Sequence, residues 1–279
     1  MNGMAGRRDT DVRSTRWCIF CGGHSLTKEH IWPQWCEPLF PRPGREGARL
    51  TINMKSIGTG PLLTSPSYRK RPGSVRGMRL RVVCAPCNNT WMSRLEADAQ
   101  PILTPLIQGR LSTLDANQQR TVAEWMALKL MVADHGHPDD YVVSETDRYD
   151  FRKSRRIPDG FEVRLGRCGQ GRWTSCFFRV TALRERPKPV QKDLPPKNLE
   201  SVVFGIGALL IFAFVSPDPE LTTSDSLSKP LPRLWPPQAT ELLWPPEIAL
   251  SADQADNVAH SLEQLLNYPG IGRLPLWRL

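Results

Sequence analysis

Two Cys-x₂-Cys pairs, Cys18-Ile-Phe-Cys21 and Cys84-Ala-Pro-Cys87, constrain this chain more than any other feature. Each pair offers two thiolates on a tight turn, and two such pairs complete a tetrahedral Cys₄ zinc site. The metal then has to pin together the two ends of residues 22–83, so this spacer is an inserted segment rather than a free loop. The remaining cysteines, Cys36, Cys168 and Cys176, have no partner at ligand spacing and read as small core residues. A total of 7 cysteines, an odd number, argues against a disulfide framework.

Charge is distributed unevenly. The chain of 279 residues carries 37 Lys and Arg against 28 Asp and Glu, a net +9. The excess sits in the first hundred residues, and acids outnumber bases after residue 200. Arg69, Lys70, Arg71, Arg76, Arg79 and Arg81 crowd one stretch of the spacer. Such a patch is the electrostatic footprint of a polyanion, and forked guanidinium groups suit phosphate oxygens. A solvated basic loop is the plainer reading of the same residues. Residues 1–16 are polar and Arg-rich, without the apolar segment of a secretory signal. The longest apolar run, Val202–Val215, falls short of the ~20 residues of a helical membrane span. A cytoplasmic protein is expected.

The elements expected along the chain are these. Residues 1–16 form a flexible arm and residues 41–76 irregular loops. Arg79–Val83 forms a strand entering the second knuckle. A helix starts after Cys87, capped by Asn88 or Asn89, and Pro101 ends or kinks it. A long helix follows Asp115, with Val122, Trp125, Met126, Lys129, Leu130 and Ala133 on its mostly apolar face. His135 and His137 at its end are explained by the helix dipole. Phe161–Leu165 and Trp173–Val180 read as two strands across a Gly-rich turn, and Val202–Val215 as one or two buried strands with a glycine kink. Residues 216–247 read as a Pro-rich loop, and Asp253–Leu266 as a final helix.

Between the knuckles lies Glu29-His30, and Asn88 directly follows the fourth cysteine. A carboxylate and an amide oxygen are hard ligands of the kind Mg²⁺ or Mn²⁺ accepts. A neighbouring imidazole can take a proton from water. Beside a phosphate-binding surface, this set suggests metal-assisted phosphodiester hydrolysis. Glu96, two helical turns beyond Asn88, either supports that site or is a solvated helix residue.

The pattern C-I-F-C, T-K-E-H-I-W-P and V-V-C-A-P-C-N-N-T-W resembles the HNH endonucleases (the His-Me finger, or ββα-metal, group). It is most similar to the subtype in which two Cys-x₂-Cys knuckles bind structural zinc around the catalytic hairpin. The resemblance covers roughly residues 17–98. It implies His30 as general base, Glu29 and Asn88 as ligands of a catalytic Mg²⁺ or Mn²⁺, and Cys18, Cys21, Cys84 and Cys87 as zinc ligands. Pro33 matches the proline that follows the histidine. The middle Asn of the family pattern is absent from Gly77–Val83; Asn53 is the nearest candidate in the spacer.

The resulting expectation is an α+β protein in two parts. Residues 17–110 form a zinc-stapled ββα-metal nuclease domain acting on DNA. Residues 111–279 form a mixed helix–strand domain that meets a protein partner or a second copy. The competing expectation is a non-catalytic zinc module that binds nucleic acid, and the missing Asn favours it.

Overall fold

The computed structural model describes residues 17–40, 48–56, 63–64, 77–136, 141–168, 175–184, 198–219, 221–224, 227–260 and 265–267. The fold is mixed α+β. The expected arm 1–16 lies outside the described residues, as do His137 and Arg69, Lys70, Arg71 and Arg76.

Strand β1 (Leu26–His30) follows the first knuckle, and a 3₁₀ turn (Gln34–Leu39) follows β1. The spacer carries β2 (Ala48–Ser56) and β3 (Leu63–Thr64), where irregular loops are expected from sequence. Its Gly, Pro and Arg content hides a strand whose partner lies more than a hundred residues further on. Strand β4 (Arg79–Cys84) returns and pairs antiparallel with β1, Leu26 opposite Cys84 and His30 opposite Arg79. An irregularity between Thr27 and Glu29 shifts the register.

The helix after β4 starts earlier than its asparagines suggest. Cys84 is its N-cap, and α1 (Ala85–Cys87) has Pro86 in the first turn, where no N–H is needed. A π-helical turn (Asn88–Met92) leads into α2 (Ser93–Ile107). Pro101 neither ends nor breaks it: α2 runs through both Pro101 and Pro105. Pro101 points outward while Leu95, Ala99, Leu103 and Leu106 bury the opposite stripe. Burial of that stripe outweighs the ~3 kcal/mol an interior proline costs.

Strand β5 (Ser112–Asp115) leads into α3 (Ala116–Asp134). Asp115 caps α3 with a reciprocal pair: Gln118 N–H donates to Asp115 Oδ1 at 2.8 Å, and Asp115 N–H donates to Gln118 Oε1 at 3.0 Å. The second half of the helix has no wet face, and every residue from Trp125 to Asp134 is buried. The cause is its position: it packs on α2 and β4 on one side and on the large sheet on the other. Helix α4 (Glu145–Ser154) is capped by Ser144 and ends at Arg155 in the left-handed region, φ 61°.

Strands β6 (Phe161–Cys168), β7 (Ser175–Arg184), β8 (Leu199–Ile206) and β9 (Leu209–Val215) build that sheet. The expected β6–β7 hairpin does not form, because β9 and β8 lie between the two strands in the sheet. Every residue of β8 and β9 is buried, and such strands belong in the centre of a covered sheet. Their tight turn uses Gly207 at φ +56°, where an added Cβ would lie 2.4 Å from Ile107 O. Strand β2 joins β7 in parallel register, Ala48 opposite Cys176 and Ser56 opposite Arg184. The spacer between the knuckles is thus part of the same sheet.

The expected Pro-rich loop contains β10 (Thr222–Thr223), β11 (Arg233–Trp235) and β12 (Glu241–Trp244); β13 (Ala249–Leu250) follows. The sheet's spatial order is β11-β6-β9-β8-β7-β2-β3, with β13 also paired to β6. Of the expected final helix, α5 spans Ala252–His260, residues 261–264 are outside the described set and Leu265 is again helical; β14 (Leu266–Asn267) then pairs with β10. Val202, Phe204, Ile211 and Ala213 pack in one core with α3, α2 and both knuckles. Val203, Leu210, Phe212 and Phe214 face the other way, against Ala255, Val258 and Ala259 of α5. This alternation is the period of a strand buried on both faces. Among the described residues, no helix is long and apolar enough to cross a membrane.

Candidate functional site

The first knuckle is built by backbone geometry. Cys18 N–H donates to Gly23 O at 2.8 Å, and Gly22 N–H donates to Cys18 O at 2.9 Å. Gly22 takes φ +67°, a left-handed turn that an L side chain would strain. The second knuckle spans the end of β4 and the first turn of α1. Pairing of β1 with β4 brings the knuckles together: the four sulfurs of Cys18, Cys21, Cys84 and Cys87 lie within 4.8 Å of one another. Cys21 Sγ is 3.5 Å from Cys84 Sγ. The cluster can hold a metal ion, and its all-sulfur, four-donor chemistry suits zinc. The hydrogen bond from the Cys87 thiol pulls Cys18 down to about 4, in the thiolate range of a ligand. The same bond, together with burial, drives Cys87 up.

Two arginines that sequence reading does not single out fasten this cluster from outside. Buried Arg148 of α4 donates through Nε to Ile19 O of the first knuckle at 3.0 Å, and through Nη1 to Val143 O. Arg155 donates through Nη2 to Trp91 O at 3.0 Å, and its guanidinium lies 4.3 Å from the Trp91 ring centre. Trp91 in turn meets Phe20 edge-on at 5.0 Å. Nothing in the spacing of Arg148 or Arg155 distinguishes them from surface cations.

His30 stands at the far end of the same hairpin. With Trp32, Gln34, Glu37 and Arg79 it lines a cleft of about 470 Å³. Burial, and then the Arg79 charge, hold its imidazole below the ordinary histidine value. It is therefore neutral at pH 7 and able to accept a proton. Lys28, Arg79 and Arg81 are exposed on the face that His30 shares, because the strand period places them together. Trp32 is buried and packs edge-on against Phe40 and Phe204, at 5.7 and 4.9 Å.

The other expected site residues do not converge on His30. Glu29 points to the opposite, buried face of β1, beside Leu80. Its Oε1 accepts from Lys129 Nζ at 2.8 Å. Lys129, fully buried on α3, also donates to His30 O at 3.0 Å and to Glu96 Oε1. Burial alone would lower the ammonium, but the Glu29 and Glu96 charges win and hold it above its ordinary value. Glu96 is thus a partner of Lys129 and not a solvated helix residue. Asn88 lies at the knuckle end, where Nδ2 donates to Thr27 Oγ1 at 3.2 Å. His30 pairs with Arg79 at one end of the β1–β4 hairpin, and Asn88 meets Thr27 toward the knuckle end. In this structure the Lys129 ammonium engages Glu29 Oε1, and Asn88 reaches Thr27 through its amide nitrogen, not through the oxygen a metal would use.

His24 and His135 have packing roles. His24 contacts Trp17, with ring centres 4.0 Å apart. His135 is buried, with a ring nitrogen 3.2 Å from Met131 O, and desolvation pushes it down to about 4. It is neutral, so the expected charge–dipole contact does not operate.

No protein-family model, curated protein or solved structure matches this chain.

Proposed function

We propose that this chain is an endonuclease that hydrolyses phosphodiester bonds of DNA at the His30 cleft, with zinc in the four-cysteine cluster. The carrying observation is the pairing of His30 with Arg79 across the β1–β4 hairpin. This sets a neutral imidazole beside a guanidinium on an exposed basic face. The antiparallel β1–β4 pair followed by α1 and α2 supports the ββα layout that the HNH resemblance implies.

In this reading Arg79 draws a phosphate oxygen of the substrate into the cleft and offsets its charge. Lys28 and Arg81 take neighbouring phosphates. His30 accepts a proton from a water whose oxygen attacks phosphorus. The phosphorus–oxygen bond to the leaving group breaks, and that oxygen takes a proton from solvent. Zinc, when bound, ties the knuckle end of the hairpin to the helix and does no chemistry on the substrate.

A second reading, a zinc module that binds nucleic acid without cutting it, is favoured by the engagement of Glu29 with Lys129 and of Asn88 with Thr27. Supercoiled plasmid separates the two. Wild type and His30→Ala are each incubated with it, with and without added Mg²⁺ or Mn²⁺. Relaxed or linear product from wild type alone supports the nuclease. An equal gel shift by both proteins, with no cutting, supports the binding module.

A further inference from the structure

Lys129 sits at the centre of three oxygens supplied by two elements of the chain. Glu29 Oε1 and His30 O come from β1, and Glu96 Oε1 comes from α2. These contacts use all three N–H donors of the ammonium. Around it, Leu128, Leu130, Met126 and Ala133 are buried. A lysine there is costly to desolvate, and it is held because two carboxylates and a backbone carbonyl take its donors. Two carboxylate oxygens and one backbone carbonyl are also the hard donor set of a small dication. The cage lies between the β1–β4 hairpin and the helix after it, one residue from His30.

We infer that Lys129 is the resident cation of this cage, standing where a divalent ion would otherwise bind and fixing the backbone of His30. It is a positioning residue: it touches His30 through the carbonyl and holds the Glu29 charge away from the cleft. The inference rests on the reading of His30 as the working base only for its functional meaning. Occupancy of the cage is a separate physical claim. It follows that the Glu29–Glu96 carboxylate pair beneath His30 is not vacant for a divalent ion.

The test is Mn²⁺ binding to the full-length, zinc-loaded chain, read from the loss of the free-ion electron paramagnetic resonance signal. Wild type is expected to bind no stoichiometric Mn²⁺. Lys129→Met, which leaves both carboxylates facing an uncharged chain, is expected to gain one Mn²⁺, and Lys129→Met with Glu96→Gln to lose it again. One Mn²⁺ bound by wild type and abolished by Glu29→Gln would overturn the inference. So would a folded Lys129→Met that binds none. If Lys129→Met does not fold, the wild-type and Glu29→Gln titrations decide alone. None of these readouts uses DNA cleavage, so an inactive protein that excludes Mn²⁺ would remove the nuclease reading and leave the cage standing.

Discussion

Lys129 Nζ and Glu29 Oε1 meet at 2.8 Å across a hundred residues of sequence, with the lysine side chain fully buried. The contact ties the central helix to the strand that carries His30. The strand of the candidate site is therefore held by a helix far along the chain.

Lys129→Met is expected to destabilise the fold by about 3–5 kcal/mol, since it leaves a buried carboxylate without its partner. Adding Glu29→Gln should recover part of that loss. Urea denaturation of the two single variants and the double variant gives the coupling directly. Additive losses would mean the pair carries no net interaction.

His135 gives stability a pH dependence. Its folded value, about 4, lies below the unfolded value of 6.5. The unfolded chain therefore binds the proton first on acidification. The contribution is complete above pH 6.5 and is lost as pH falls toward 4, by roughly 3 kcal/mol. His135→Gln should flatten the denaturation midpoint over that window relative to wild type.

Arg148 supports the first knuckle through Ile19 O. Arg148→Met leaves that carbonyl and Val143 O without this buried donor, a cost of about 1–3 kcal/mol each. The expected outcome is faster zinc loss to a chelating dye. The rate for Arg156→Met, an exposed arginine paired with Asp159, should match wild type.

Gly207→Ala should destabilise the β8–β9 turn. The left-handed φ and the approach to Ile107 O leave no room for a Cβ without moving backbone. A loss of about 1–3 kcal/mol in thermal or urea denaturation is expected. An unchanged midpoint would show that α2 yields at its C-terminal end.

The parts legible in the sequence are those written in local signals. Cys-x₂-Cys spacing marks the knuckles, and the alternation in Arg79–Val83 marks β4. Asp115 and the apolar stripe after it mark α3. The parts that are not legible depend on partners far along the chain. The long spacer strand is invisible until β7 is there to pair with it. Pro101 looks like a helix end because propensity takes no account of the stripe Leu95–Leu106 buried beneath. Glu96 reads as solvated because its partner is thirty-three residues away. Lys129 stands in plain view on the apolar face of α3, and a lone lysine among buried positions is the signal that points to a buried carboxylate.

The parallel pairing of β2 with β7 has a consequence for how this chain can be divided. The segment that leaves the His30 hairpin enters the large sheet as a strand before returning to close the cysteine cluster. A fragment ending near residue 110 would keep β2 and β3 but strip them of their neighbour, leaving an unsatisfied edge open to pairing with other chains. The knuckle module is therefore not a portable cassette: it is stitched into the sheet, and a shift of that sheet pulls on the same thread that ends at His30 and Cys84.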